Sequence, residues 1–239
     1  MSNDQHPIGH AVVVASGGLD STTLAYLLRA DGATRITLLG VDYGQRHRVE
    51  LARLERIADE LGADHIRLDL PGLAALMTGS ALTDARVPVP SGYYTDASMW
   101  ATVVPNRNAL LLDLAVALAV SVNANTVAFG AHAGDHPIYP DCRPEFVEAY
   151  RRMAALATKG FTVDGFQIVT PFVGMTKVEI VRLGAELGVP FAATWSCYRG
   201  GRRHCGRCGT CTERKEAFAL AGVADPTDYE DPAPVTPCT

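Results

Sequence analysis

Residues 11–23 read Ala11-Val12-Val13-Val14-Ala15-Ser16-Gly17-Gly18-Leu19-Asp20-Ser21-Thr22-Thr23. An unbroken apolar, β-branched run over Val12 to Ala15 predicts a buried strand. The glycine pair behind it predicts a tight turn into a helix over Ser21 to Ala30. That geometry presents successive backbone N–H groups and hydroxyl side chains at a helix N-terminus, where the macrodipole favours an anion. The two glycines permit close backbone approach and positive φ. The anion such a turn takes is read as the pyrophosphate end of ATP. The spacing is not the Walker pattern, which places four residues between its glycines and then Gly-Lys-Ser/Thr. An ordinary glycine-rich turn is the plainer alternative, but here an acidic residue and hydroxyls fall inside the turn as well.

Outward from this turn, strands and helices alternate. Arg35 to Val41 reads as a second strand and His65 to Leu70 as a third. Between them His47 to Leu61 is amphipathic, with Gly62 at its end. Pro71 to Pro105 is rich in Gly, Pro, Ser and Thr. A short helix is predicted at Leu73 to Met77 and a long, lid-like loop over Val87 to Ala101. Arg107 to Val120 is apolar on most faces and reads as a buried helix. Thr126 to Gly130, Pro144 to Ala157 and Phe166 to Thr170 continue as strand, helix and strand. Thr176 and Glu179 form a capping box for a helix ending near Leu187-Gly188. The expected fold class is α/β: a Rossmann-like parallel sheet flanked by helices, with a small C-terminal zinc-binding subdomain. In such sheets ligands bind at the carboxyl ends of the strands.

Composition narrows the function classes. The chain has 239 residues, 48% of them hydrophobic, which suits one α/β domain with a small appendage. No apolar run reaches the ~18 residues of a membrane span. Met1 to His10 is polar and lacks the apolar core of a signal peptide, so a cytoplasmic location is expected. A net charge of −5 disfavours stable nucleic-acid binding, which needs a basic footprint.

Four of the six cysteines, Cys197, Cys205, Cys208 and Cys211, fall within fifteen residues. Four thiolates close a tetrahedral shell, so a zinc ion here would be structural. An iron–sulfur cluster is the competing occupant, because its spacing overlaps. The intervening Arg199, Arg202, Arg203, His204 and Arg207 are expected to offset thiolate charge and to face an anionic substrate.

Other segments carry polar chemistry at strand ends. Asp42, in Asp42-Tyr43-Gly44-Gln45-Arg46-His47, is placed either to contact the nucleoside of ATP or to cap a helix. Arg107 and Lys177 each put a cation at a helix start, where the dipole opposes it. A bound anion would explain both; solvated surface side chains are the alternative. The stretch Gly130 to Arg143 is dense in groups that hydrogen-bond planar heterocycles. In it, Asp135 and Asp141 can accept from the N–H edge of a guanine-like base, and Tyr139 can stack or donate.

The run Ser16 to Ser21 resembles the PP-loop of ATP pyrophosphatases, which adenylate a carbonyl or carboxylate oxygen. Taken with Val104-Pro105-Asn106-Arg107-Asn108, Tyr139-Pro140-Asp141-Cys142-Arg143 and the cysteine quartet, the chain is similar over nearly its whole length to the 7-cyano-7-deazaguanine synthase (QueC) family. The resemblance implies an ATP-dependent carbon–nitrogen ligase acting on 7-carboxy-7-deazaguanine and ammonia, through an adenylated acid and an amide to the nitrile. It implies ATP, with Mg2+, on Ala15, Ser16, Gly17, Gly18, Leu19, Asp20, Ser21, Thr22, Thr23, Leu24, Ala25, Asp42 and Lys177. Asp20, Ser21 and Lys177 are the implied catalytic residues. Arg107, Asp135, Tyr139, Asp141 and Arg143 are the implied substrate ligands, and the four cysteines hold one zinc. A homodimer is common in the family. The implied organisation is an ATP-binding domain over residues 1–192, a zinc segment and helix over 193–222, and a Pro/acid-rich tail over 223–239, expected to be poorly ordered or draped on the surface.

The chain departs from the family pattern in two places. Asn106 stands where the family usually has Gly, and His132 to Ile138 replaces an acidic, Ser-Gly-containing stretch. Three other readings follow from the same residues: a relative that conjugates an activated deazaguanine to another amine such as a protein, a tRNA-modifying PP-loop enzyme, and a catalytically silent zinc-stabilised module.

Overall fold

The computed structural model describes residues 6–93 and 96–233. Met1 to Gln5 of the polar N-terminus, residues 94–95 of the expected lid, and the end of the tail with Cys238 lie outside the described residues.

Five parallel strands, β1 (His10–Val14), β2 (Arg35–Asp42), β3 (Asp64–Asp69), β4 (Thr126–Ala128) and β5 (Gln167–Val169), form one sheet in the order β3-β2-β1-β4-β5. The order reverses between β1 and β4, which is where a doubly wound sheet opens a crevice at its carboxyl edge. Alternation sends the two faces of each strand into separate cores. Ala11 and Val13 of β1, with Ile36 and Leu38 of β2, pack on one side against α1 (Leu19–Ala30), α2 (Val49–Leu61), α6 (Lys177–Glu186) and α7 (Gly209–Ala221). Val12, Leu39 and Val41 face the other side, against α4 (Arg107–Ser121) and α5 (Pro144–Ala157).

Several expected boundaries shift for physical reasons. Helix α1 begins at Leu19, two residues before the first hydroxyl, because Gly18 already takes the extended N-cap conformation. α4 is not buried all round: Asp113, Ala117 and Ser121 line an exposed stripe at four-residue spacing. The expected short helix is a 3-10 helix over Pro71–Leu76, and the expected lid contains a short helix, α3 (Asp96–Trp100). In its described part, Val87 and Gly92 are pinned. Arg46 donates to the carbonyls of Asp84 and Val87 (both 3.0 Å), and Gly92 N donates to Arg207 O (2.8 Å). The capping box at Thr176 and Glu179 forms at the start of α6.

The tail also has a definite place. Tyr229 is 8% exposed and packs in a third core with Trp195 and the four cysteines. Lys215 Nζ donates to the carbonyls of Asp231 and Ala233, and Tyr229 Oη donates to Asp225 (2.6 Å). The described tail is therefore a strap across the cysteine cluster. α7 follows directly from that cluster and lies along α6, with Phe218 edge-on to Phe191 in the main core.

Candidate active site

A cavity of about 250 Å³ opens at the switch point between β1 and β4. The turn from β1 to α1 forms one wall. Gly17 takes φ +84°, and a side chain there would meet the Glu50 carbonyl at 2.5 Å, so the turn needs glycine to pass under α2. Gly18 has φ −78° and needs no such freedom. The turn is closed by its own serines: Gly18 N donates to Ser16 Oγ (3.1 Å) and Ser16 N to Ser21 Oγ (3.2 Å). No side chain caps α1, which leaves its first-turn N–H groups without a side-chain partner.

Ala15, Ser16, Gly18, Leu19, Asp20 and Ser21 line the cavity. The other expected ATP contacts lie behind the turn. Thr22 and Thr23 turn their hydroxyls back to the carbonyls of Gly18 (2.7 Å) and Leu19 (2.9 Å), and Leu24 and Ala25 are core residues of α1. Gly17 is buried beneath α2. Asp42 is not on the wall either. Its carboxylate accepts from Gly44 N (3.0 Å) and pairs with Arg67 (3.2 Å), and the cavity instead receives Tyr43, Gln45, His47 and Glu50 from the same stretch.

Across the cavity, α6 delivers Lys177. Its Nζ lies 2.6 Å from Asp20 Oδ2 and 3.7 Å from Glu213 Oε2. Burial opposes the charge on Lys177, but Asp20, Glu213 and Asp135 hold its pKa above the ordinary lysine value. Burial likewise pushes the Asp20 carboxyl up, and Lys177 and His132 more than reverse it, so Asp20 titrates below the usual carboxylate range. For Glu213 burial outweighs Lys177 and the pKa is raised. The Asp20 Oδ1 atom is buried without a hydrogen-bond partner.

The third wall is substrate-like in chemistry. Arg107, Asp135 and Tyr139 line it. The Arg107 guanidinium reaches the Asn108 amide oxygen (3.4 and 3.3 Å), and among the described residues no carboxylate forms an ion pair with it. His132 Nδ1 accepts from Gly134 N (3.1 Å), so Nε2 carries the proton and faces Asp135 Oδ2 at 3.5 Å. Tyr139 shares a hydrogen bond with Thr102 (2.7 Å). Asp141 and Arg143 are structural here. Asp141 Oδ2 accepts from Asn108 N (2.9 Å) and so caps α4, while Arg143 donates to the carbonyls of His136 (2.8 Å) and Pro137 (3.3 Å).

Glu50 and His47 form a buried pair on the α2 side, with His47 Nε2 and Glu50 Oε1 3.4 Å apart. Burial pushes the Glu50 pKa up to about 8 against the pull of Arg107, Gln45 and Ser16. Burial and Arg107 push His47 down to about 3. His47 ends a motif that was visible in the sequence, whereas Glu50 falls in the helix after it and carried no signal; that both side chains turn inward could not be read. Glu213 left no local signal, because it reaches the cavity only through the return of α7.

The four cysteine sulfurs lie within 4.8 Å of one another, with Cys205–Cys211 at 3.9 Å and Cys197–Cys208 at 4.0 Å. A tetrahedron of ~2.3 Å metal–sulfur bonds has edges of about 3.8 Å, so the donor set fits zinc. The N–H groups of Arg207 and Cys208 point at Cys205 Sγ (3.4 and 3.2 Å), as expected around a thiolate ligand. The neighbouring basic residues do not line the cavity. Arg203 holds Asp228 and the Tyr229 carbonyl, Arg199 donates to Ser91, and His204 accepts from Ser196 N. Arg207 in turn faces Asp231 of the strap at 3.9 Å.

A parallel sheet of this order, with a non-Walker glycine turn at its switch point and a four-cysteine knot beside it, defines a nucleotide-binding α/β protein of the PP-loop type. The chain belongs to the queuosine biosynthesis protein QueC family, whose model matches residues 10–222. It is 52% identical over 221 residues to a 7-cyano-7-deazaguanine synthase of Allorhizobium ampelinum, covering 92% of each chain. It is 51% identical over 221 residues to the synthase of that name from Paracoccus denitrificans, covering 92% of this chain and 93% of the relative. Among solved structures, the NMN synthetase of Francisella tularensis aligns over 91% of this chain and 79% of its own, with 18% identity and a TM-score of 0.49.

Proposed function

We infer that the chain is an ATP-dependent carbon–nitrogen ligase that forms 7-cyano-7-deazaguanine. Membership of the family and the identity of about half over 92% of the chain support the activity. The observation that carries the site assignment is one continuous cavity. It has the phosphate turn and Lys177 on one side and, on the other, Arg107, with which no carboxylate among the described residues forms an ion pair. A nucleotide and an anionic heterocycle fit those two walls together.

In this reading Ser16, Gly18 and Ser21 cradle the phosphates, and Lys177 leaves its pairing with Asp20 to meet them. The buried, unpartnered Asp20 Oδ1 suits a magnesium ion carried in with ATP, whose charge would offset that of the departing pyrophosphate. Arg107 holds the carboxylate of 7-carboxy-7-deazaguanine, and Asp135 with Tyr139 meets its polar edge. A carboxylate oxygen attacks the α-phosphorus and pyrophosphate leaves. Ammonia attacks the acyl carbon, AMP leaves and one proton is released, giving the amide. The amide oxygen then attacks the α-phosphorus of a second ATP, releasing pyrophosphate and a proton, and loss of AMP and a further proton from the adenylated imidate forms the C≡N bond. Zinc on Cys197, Cys205, Cys208 and Cys211 is structural, since four thiolates leave no open position. A homodimer, a cytoplasmic location and the three-part division at residues 192 and 222 belong to the same reading. No helix among the described residues is long and apolar enough to cross a membrane.

Mass spectrometry of a reaction with 7-carboxy-7-deazaguanine, ammonium, magnesium and ATP tests this. Nitrile with AMP and pyrophosphate is expected. Amide alone, or an adenylate that never reaches the nitrile, would assign the chain to a conjugating relative.

A further inference from the structure

We propose that Arg214 couples the tetracysteine centre to the phosphate turn, so that ATP binding and metal retention strengthen each other. The proposal rests on the reading of that turn as the ATP site.

Arg214 is 2% exposed on α7, three residues after Cys211. Its Nη1 donates to Thr194 Oγ1 (2.8 Å) and Ser196 Oγ (3.1 Å), its Nη2 to Phe191 O (3.0 Å) and its Nε to Asp225 Oδ1 (3.4 Å). Four of the five guanidinium donors are thus committed to protein, so Arg214 is a positioning residue although it borders the cavity. Three of the four hold the segment between Phe191 and Ser196. That segment has no regular structure beyond a 3-10 turn at Phe191–Ala193, and Arg214 ties together its two ends, Phe191 and Ser196.

Its far end touches the phosphate turn. Trp195 N donates to Gly17 O (2.9 Å), on the peptide whose φ of +84° brings the turn under α2. The Gly17 peptide is therefore held by Trp195 on one side and runs close under the Glu50 backbone on the other, which leaves no room for a side chain. Two residues past Trp195 the chain enters the cluster at Cys197, and the Trp195 indole N–H donates to the Cys197 carbonyl (2.8 Å). The result is a closed ring: Cys197, the 191–196 segment, Arg214, α7 and Cys211, with the metal joining Cys197 to Cys211. A metal in the ring removes slack from the segment that fixes Gly17. Ordering the turn around ATP then costs less, and by linkage ATP must hold the metal more tightly by the same factor.

The test uses zinc-loaded wild-type protein. Calorimetry with ATP is followed by the rate of zinc release to a chromogenic chelator, with and without saturating ATP. Release is expected to slow roughly tenfold with ATP, within the ~5–150-fold range of ordinary couplings. In Arg214→Lys, which keeps the charge but loses the fork, that ratio should fall toward one while zinc still binds stoichiometrically. A merely structural arginine would speed release with and without ATP alike and leave the ratio unchanged, which overturns the proposal. The wild-type ratio decides the matter even if the variant does not fold: a ratio of one with ATP demonstrably bound overturns the coupling alone. Failure of ATP to bind wild-type protein overturns the nucleotide-site reading and the coupling with it.

Discussion

Lys177 and Asp20, 157 positions apart in the chain, meet at 2.6 Å across the mouth of the phosphate turn. Each has a further capacity: Lys177 also reaches Glu213, and Asp20 Oδ1 is buried without a hydrogen-bond partner among the described residues. An ion pair with spare capacity on both members can be opened by an incoming polyanion without stranding a charge. Asp20→Ala should lower kcat at least ~100-fold, the scale of losing one electrostatic stabiliser. Stability should change by no more than about 2 kcal/mol, because Glu213 remains as a partner for Lys177. Steady-state pyrophosphate release and a urea melt check both; near-normal turnover would remove Asp20 from the chemistry.

Cys208→Ser removes one ligand from the shell and leaves a hydroxyl in a buried, thiolate-lined site. Zinc content should fall well below one per chain. Loss of a metal belongs to the largest class of single-substitution effects, above about 4 kcal/mol, which for a chain of this size lowers Tm by roughly 8 °C or more. Elemental analysis with calorimetry measures both quantities. An iron signal in the native protein, with absorbance near 400 nm, would replace zinc by a cluster.

Arg107→Met should raise KM for the deazaguanine acid about 10- to 150-fold, corresponding to ~1.5–3 kcal/mol for a hydrogen bond to a charged group. KM for ATP should stay within a factor of two or three. An equal rise in both constants would place Arg107 on the nucleotide instead.

Glu50 makes stability depend on pH. Its pKa is about 8 in the fold against 4.5 ordinarily, so between those values the unfolded chain has lost a proton that the native protein still holds. Stability therefore falls as pH rises through that window, by at most about 1.4 kcal/mol per unit. His47, at about 3 against 6.5, works the other way: the unfolded chain holds the extra proton, and stability rises with pH from 3 to 6.5. The two slopes oppose each other below 6.5, leaving Glu50 unopposed from 6.5 to 8. Glu50→Gln should be the more stable protein at pH 8 and should lose that advantage below about pH 5. Urea unfolding at four pH values decides it, and parallel profiles for the two proteins would show that Glu50 ionises normally.

Asn106 explains one departure from the family pattern. Its φ of +63° lies in the left-handed region, which Gly and Asn both tolerate. Asn106→Gly should leave stability within about 0.5 kcal/mol and leave the product unchanged. Asn106→Val should cost roughly 1–2 kcal/mol. A changed product from Asn106→Gly would give the side chain a role in specificity.

Strand and helix order could be read in the sequence because each element carries its own period, and the turn at Ser16 to Ser21 carries its own glycines. The cysteine knot was equally local. What could not be read was direction. Asp42 and Asp141 have the right chemistry, but the strand end turns one toward Arg67 and the α4 N-terminus claims the other. Glu213 and Arg214 belong to the cavity only through the docking of α7 on α6, a tertiary fact without a local signature. The tail was read from its prolines and acids as poorly ordered or draped on the surface; its described part is draped, through contacts of Tyr229 and Asp225 that composition does not reveal.

The strap that Tyr229, Asp225 and Asp231 lay over the cysteine knot sets the order in which the molecule can be completed. Synthesis runs from the N-terminus at roughly 5–20 residues per second, so the sheet and the phosphate turn leave the ribosome long before Arg214 meets Asp225 or Lys215 meets Asp231. Until residues 225–231 emerge, Arg214 and Lys215 lack the acceptors that Asp225 and Asp231 supply. Among the described residues the cysteine knot is therefore covered last, after every strand of the sheet has been made.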